Sequence, residues 1–175
     1  MTKSGFPDTF PRIETTRLIL RGITQDDAIG IFKNFSDPDI AKWFLEQPFT
    51  EMKQVTEIID AFQSDFSQRK GLTWAITLKE TGTCIGTCGY GDVGIGDRGE
   101  IGFDLAKEQW GKGLMAEALA AIIDYGFEAL NLSKVEAHTY SKNVRSICLL
   151  EKLGFQLDKV LDDSSYFFLS REAWY

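Results

Sequence analysis

The sequence predicts an α+β fold: a mixed, mostly antiparallel sheet of six to seven strands, containing one central parallel pair and flanked by about four helices. Three observations carry this. Two helical patterns within residues 24–70 give way to a long β-rich stretch, an order that no repeated strand–helix alternation produces. Three of those runs, within residues 72–105, are joined by short glycine-containing turns, as in an antiparallel meander. A wide apolar helical face over 114–130 then precedes another β-rich run, 134–140, so a helix crosses between two strands that must lie parallel.

Taken in order, residues 1–12 hold Pro7 and Pro11 and read as an irregular leader. Glu14 to Ile23 (ETTRLILRGI) alternates around Leu18 and Leu20 as a strand does. Thr24 with Gln25, Asp26 and Asp27 is an N-cap signal with acids in the first turn. It opens a helix through Ile29, Ile31, Phe32 and Phe35 that ends near Asp37-Pro38. A short segment carries Ile40, Trp43 and Phe44. Thr50-Glu51 starts a longer helix with Val55, Ile58, Ile59, Phe62 and Phe66 at helical spacing, stopping before Gly71.

Strands are expected at 72–78 (LTWAITL), 83–90 (TCIGTCGY) and 99–105 (GEIGFDL), with a tight turn at Glu80-Thr81-Gly82 and a second at 92–98. Leu114, Ala118, Ile122, Gly126 and Leu130 form one i,i+4 row, and Met115, Leu119, Ile123 and Phe127 the row beside it, the face of a helix packed on a sheet. Lys134 to Tyr140 is a strand. Asn143 caps a helix, VRSICLLEKL, that Gly154 ends. FQLDKVL and SSYFFLS close the chain as a hairpin across Asp162-Asp163. No repeat or linker interrupts this order, so the 175 residues read as one domain.

Composition narrows the function. With 43% hydrophobic residues the chain can bury a substantial core, and 19 Lys and Arg against 26 Asp and Glu give a net charge of −7. No basic cluster stands out, which argues against a nucleic-acid surface and suits a cationic acceptor. Cys84, Cys88 and Cys148 match neither a disulfide framework nor a zinc site, so a reducing cytoplasm and no metal are expected. The first residues lack the apolar core of a signal peptide, and the longest aliphatic run, Ala118 to Ile123, is too short to span a membrane. A free Cys148 is expected in the core, since nothing electropositive surrounds it in sequence.

The stretch QWGKGLMAEALAAIIDYG, Gln109 to Gly126, carries the chemistry. Gly111 and Gly113 flank a lysine where the backbone must turn and begin a helix, leaving peptide N–H groups without intrahelical partners. Glycine lets main chain approach a phosphate, and the helix dipole adds attraction, so the stretch reads as a pyrophosphate cradle. A Walker A loop fails here because Leu114 follows Gly113 where Lys-Ser/Thr would be needed. Gly111, Gly113 and Ala116 do meet the Gly-x-Gly-x-x-Gly/Ala spacing of a nicotinamide-binding oxidoreductase. That motif belongs in the first βα turn of a repeated parallel system, and here it follows two helices and a meander.

WGKGLMAEAL, followed by NVRSICLLEKLGF and preceded by ETTRLILR, resembles the GNAT superfamily of acetyl-CoA-dependent N-acetyltransferases, from about Glu14 to the C-terminus. The ETTRLILR opening, the WGKG turn and the N-x-x-S spacing of Asn143 and Ser146 are similar to the RimJ/RimL branch, whose members acetylate the N-termini of ribosomal proteins. The resemblance implies a sheet splayed at its central parallel pair. It also implies a backbone cradle for the pyrophosphate of acetyl-CoA at Trp110, Gly111, Lys112, Gly113, Leu114 and Met115. Trp110 stands where the family has Arg or Gln, and Met115 where it has a small residue. The backbone of Phe103, Asp104 and Leu105 would pair with the pantetheine arm like an added strand. Asn143 and Ser146 would reach the arm from the other side of the cleft; their alternative reading is an N-cap and a first-turn hydroxyl.

Transfer to an amine needs a base, a donor to the developing oxyanion and a proton for the departing thiolate. Glu100 matches the family position for the base, and its alternative is a solvated carboxylate at a strand end. His138, the sole histidine, shares a strand face with Glu136 and reads either as base or as a partly buried structural residue. The tyrosine that relatives use as proton donor falls at Leu150, so Ser146 or a water it holds is the candidate. The acceptor cleft is expected to use Trp43, Phe44, Asp162 and Asp163, whose alternatives are core packing for the aromatics and a solvated turn for the aspartates. An acceptor with an α-amine, such as a protein N-terminus, needs the weakest base. A polyamine or aminoglycoside acceptor, or a catalytically silent CoA-binding module, are the other readings. Whether two chains pair as a homodimer stays open.

Overall fold

The computed structural model describes residues 5–93 and 97–175. Among them an eight-stranded sheet runs in the order β1-β2-β3-β4-β5-β6-β8-β7. The strands are β1 (Ile13–Glu14), β2 (Leu18–Gly22), β3 (Leu72–Leu78), β4 (Cys84–Gly91), β5 (Arg98–Leu105), β6 (Lys134–Tyr140), β7 (Gln156–Leu161) and β8 (Ser164–Ser170). Every neighbouring pair is antiparallel except β5 and β6. Among the described residues six α-helices accompany the sheet, α1 (Ala28–Ser36), α2 (Pro38–Ala41), α3 (Met52–Ser67), α4 (Leu114–Glu128), α5 (Val144–Lys152) and α6 (Arg171–Trp174), with short 3-10 turns at Gln25–Asp27 and Lys107–Gln109.

The counts exceed the expected six to seven strands and four helices for local reasons. The run 14–23 is not one strand, because Thr15 donates its N–H to Leu18 O (3.0 Å) and its hydroxyl accepts from Leu18 N (3.1 Å). That folds β1 back on β2, pairing Ile13 with Leu20. Pro38 at the first helical position, with Asp37 Oδ1 accepting from Asp39 N (2.8 Å), starts the short α2. Ser170 caps α6 in the same way. The described part of the leader packs on the core: Phe6 is buried and Pro11 O accepts from the Trp74 indole (2.8 Å). The turn expected at 92–98 includes 94–96, which lie outside the described residues, as do 1–4 of the leader.

Two cores sandwich the sheet. On one face Trp74, Ile76, Tyr90, Ile101 and Val135 pack against Leu119, Ile122, Ile123 and Phe127 of α4 and Leu150 of α5. On the other, Ala75 and Cys84 meet Ile31 and Phe35 of α1 and Val55 and Ile59 of α3. Alternation along the strands produces this division, since successive side chains point to opposite faces. Gly126 lets α4 sit against the sheet: a Cβ there would fall 2.1 Å from the Tyr90 hydroxyl, which donates to Ile122 O (2.8 Å).

Candidate active site

The parallel pair is brief. Residues Arg98 to Glu100 of β5 pair with Lys134 to Glu136 of β6, and the two strands then part. β5 continues along β4 to Leu105, while β6 continues along β8 to Tyr140. A cavity of about 770 Å³ opens between them. Leu105 O accepts from the Trp110 indole (2.8 Å), whereas the next residue, Ala106, donates back to Ile85 O at the end of β4 (2.7 Å). Leu105 thus turns its peptide groups away from β4, and by the two-residue alternation of an antiparallel ladder so do Phe103 and Ile101. The freed edge of β5 lines the cleft.

At one end of the cleft lies the glycine turn. Gly111 and Gly113 both hold φ +75, and a Cβ at Gly111 would meet nothing within 4 Å, so the backbone conformation rather than space demands glycine. Gly113 is the N-cap of α4 and Glu117 N makes the first helical bond, to Gly113 O (3.1 Å). The N–H groups of Leu114, Met115 and Ala116 are free for a ligand.

The opening ETTRLILR motif holds this turn from 95 or more residues away. Arg17 donates from Nη1 to Lys112 O (2.9 Å) and from Nε to Glu117 Oε2 (2.7 Å). Its main-chain N and the Thr15 hydroxyl both donate to Glu117 Oε1 (2.7 and 2.6 Å). Burial alone would raise the Glu117 carboxyl, but these donors outweigh it and hold it below the usual carboxylate range.

Across the splay, His138 Nδ1 lies 2.6 Å from Glu100 Oε1, with both side chains about half exposed to the cleft. The register explains the contact: Glu100 is level with Glu136, and His138 is the next residue on that face. The imidazole stacks on Tyr166 at 5.5 Å, and Lys159 lies over the other ring (5.2 Å). Glu136, expected near His138, is instead occupied by Lys134 (2.5 Å) and Arg98 (3.4 Å). Further along the same face of β5, Asp104 is buried. Its carboxyl takes the Thr87 hydroxyl, Thr87 N (3.2 Å) and Asn34 Nδ2 (2.8 Å). Burial pushes this carboxyl up by more than those bonds pull it down.

Helix α5 forms the opposite wall through Asn143, Arg145, Ser146, Leu149 and Lys152. Asn143 does cap, its side-chain oxygen accepting from Ser146 N (3.4 Å), while its Nδ2 donates to Thr139 (3.2 Å). Both Asn143 and Ser146 nonetheless face the cavity, so capping and lining coexist. Leu150, at the tyrosine position, is fully buried and does not line the cleft. Cys148 is exposed, contrary to the core position expected from its residue type, because α5 turns Leu150 and Ile147 inward and Cys148 and Val144 outward. Cys84 and Cys88 are buried, and burial raises the Cys84 thiol to about 12.

The cavity brings together Glu100, His138, Phe103, Asp104, Leu105, Trp110, Gly111, Gly113, Leu114, Met115, Asn143, Ser146, Trp43 and Phe44. Trp43 and Phe44 are not in the core: Phe44 is exposed and Trp43 faces Tyr140 at a ring distance of 6.2 Å. Three candidates do not line this cavity: the Lys112 amine turns to Gln109 (3.0 Å) while its main chain stays in the glycine turn, Asp162 is an exposed turn residue at φ +51, and Asp163 lines a smaller depression that shares Trp43 and Tyr140 with the cavity. Arg145, Arg17, Glu117 and Asn34 were not singled out from sequence. Arg145, the cation between Asn143 and Ser146, had the one visible signal. Among the described residues no group of His, Cys, Asp and Glu could hold a metal ion, and no helix is long and apolar enough to cross a membrane.

A sheet parted at its parallel pair, with a glycine turn and free helix N–H groups facing the gap, defines an acyl-CoA N-acyltransferase fold. The chain belongs to the GNAT acetyltransferases: the family's model, "Acetyltransferase (GNAT) domain", matches residues 17–156. An uncharacterized N-acetyltransferase, p20, of Bacillus licheniformis is 38% identical over 85% of this chain and 84% of its own length. The spermidine N(1)-acetyltransferase of Escherichia coli K12 is 24% identical over 79% of this chain and 73% of its own. The structure of Mycobacterium smegmatis RimJ with CoA-disulfide superposes with a TM-score of 0.79 at 22% identity, covering 96% of this chain and 90% of that one. The protein is therefore an acetyl-CoA-dependent acetyltransferase, and the nicotinamide reading of its glycine spacing is set aside.

Proposed function

We propose that the protein acetylates the α-amine of a protein N-terminus, with the cofactor along the free edge of β5 and the amine delivered to Glu100 and His138. The observation that carries this is the Glu100–His138 contact, placed where the parallel strands part and half exposed to the cleft. The turn at Trp110 to Gly113 and the N–H groups of Leu114 and Met115 receive the pyrophosphate, and Phe103 and Leu105 offer peptide groups to the pantetheine amides. The dyad takes the proton of the incoming amine. The amine's lone pair then bonds to the thioester carbon; as the carbon–sulfur bond breaks the nitrogen gives up its second proton, and the Ser146 hydroxyl relays a proton to the departing thiolate, taking up that one through water in exchange.

The acceptor follows from how little base the site provides. Freeing a lysine-like amine at pH 7 costs about 4 to 5 kcal/mol and an α-amine about 1. One half-exposed dyad suits the second. The aromatic mouth of Trp43, Phe44 and Tyr140 fits the first side chains of a peptide. A second reading, a small polycation, is favoured by Asp92 and Glu100 at the cavity and by the similarity to spermidine acetyltransferase.

Incubation with acetyl-CoA and a panel of peptides, spermidine and aminoglycosides, read by mass spectrometry, tests the assignment. Acetylated peptide N-termini are expected; acetylated spermidine with untouched peptides would overturn it. Glu100→Gln and His138→Gln should each lower kcat at least about 100-fold while leaving the acetyl-CoA KM unchanged.

A further inference from the structure

Among the described residues, Arg145 stands at the glycine turn with no acid beside it. It lies in the first turn of α5, the positive end of the helix dipole, where a cation is disfavoured. Its guanidinium carbon sits 3.5 Å from the centroid of the Trp110 ring, and that indole is itself fixed by its bond to Leu105 O. The cation is thereby stacked face-on against the residue that opens the glycine turn, at the edge of the cavity. Among the described residues Arg145 has no ion-pair partner, and neither do Lys112 nor Lys152, in a chain of net charge −7. It also lies near enough to Lys107 for the two charges to oppose each other. Lys152, seven residues on, lines the same wall. The acids of the cavity, Asp92, Glu100 and Asp104, belong to the β4–β5 side instead.

We propose that Arg145, braced on Trp110, binds a phosphate of the cofactor's nucleotide end and so selects acetyl-CoA over thioesters that lack it. A planar guanidinium stacked on a ring keeps its N–H fork free in the plane, which suits two-point hydrogen bonding to phosphate oxygens. Trp110, which opens the glycine turn, thus brings a cation to it from α5. The uncompensated charge there is neutralised when the polyanion arrives. The proposal rests on the reading that acetyl-CoA occupies this cleft.

The test compares acetyl-CoA, acetyl-dephospho-CoA and S-acetylpantetheine with the wild-type enzyme, Arg145→Gln, Arg145→Lys and Gly113→Val. Arg145→Gln should raise the KM for acetyl-CoA about 10- to 100-fold, the range of a lost charge-assisted contact, with kcat unchanged. Its kinetics with S-acetylpantetheine should match wild type, and Arg145→Lys should fall between. A penalty that persists with acetyl-dephospho-CoA assigns the contact to the pyrophosphate; one that vanishes assigns it to the 3′-phosphate. Equal losses with acetyl-CoA and S-acetylpantetheine, or no loss with either, overturn the proposal. Unchanged acetyl-CoA affinity in Gly113→Val would instead remove the underlying reading, because the cofactor would then lie outside the cleft.

Discussion

Replacing Glu117 with alanine removes one carboxylate that holds four things together: the Thr15 hydroxyl, the Arg17 main-chain N–H, the Arg17 guanidinium and, through it, Lys112 O. The Glu117 side chain is 17% exposed and that of Arg17 46%, so the ion pair is partly screened and the fully buried value does not apply. A hydrogen bond to a charged group is worth about 1.5 to 3 kcal/mol, and three that share one carboxylate and are partly screened, and so do not add, give a loss of about 2 to 3 kcal/mol. In a chain of this size that lowers Tm by about 5 to 10 °C. A second effect concerns the turn. With Arg17 no longer anchored, the backbone at Lys112 regains the freedom of about one residue, about 1 to 2 kcal/mol, which weakens acetyl-CoA binding about 5- to 30-fold. Urea melts and calorimetric titration with acetyl-CoA measure the two effects separately. Because the folded carboxyl is held below its ordinary range, the contribution of the clamp is complete above the unfolded pKa and is lost as pH falls through the folded one. Glu117→Gln should therefore flatten the acid limb of the stability profile. A Glu117→Ala enzyme within about 0.5 kcal/mol of wild type, with unaltered cofactor affinity, would refute the reasoning.

Asp104 should respond to pH in the opposite sense. Its folded pKa is raised, so its contribution is complete below the unfolded pKa and is lost as pH rises through the folded value. Wild type should accordingly lose stability relative to Asp104→Asn as pH rises, whatever the offset from the donors of Thr87 and Asn34 that the amide meets, and urea melts from about pH 4 to about pH 8 would show the trend. Gly126→Ala places a Cβ 2.1 Å from the Tyr90 hydroxyl and 2.8 Å from its Cζ, so the overpacking cost of about 1 to 3 kcal/mol should exceed the gain in helix propensity. Adding Tyr90→Phe should recover part of the loss in thermal melts.

What was legible in the sequence depended on whether a pattern closes on itself locally. The rows through Leu114, Met115, Ala118 and Leu119 define α4 because helical spacing is a property of neighbours. Asn143 and Gly154 bracket α5 for the same reason. Glu100 and His138 were each visible as candidates, but their contact depends on parallel register, which no local pattern encodes. The Arg17–Glu117 clamp spans 100 residues and looks in sequence like two ordinary surface charges. Cys148 shows the reverse failure, where residue-type preference pointed inward and its place on the helix turned it outward.

The parting of β5 from β6 also bears on how this protein lives among others. A run of unpaired strand edge is ordinarily an invitation to any extended chain nearby, and proteins guard such edges with charge, proline or cover. Here the open run from Ile101 to Leu105 lies in the middle of the sheet, walled by the starts of α4 and α5, and not at its rim. A strand of another folded protein, still attached to its own sheet, cannot be lowered into that notch, whereas a thin flexible arm can. The fold thus leaves a hydrogen-bonding edge open to thin guests without setting it at the rim of the sheet.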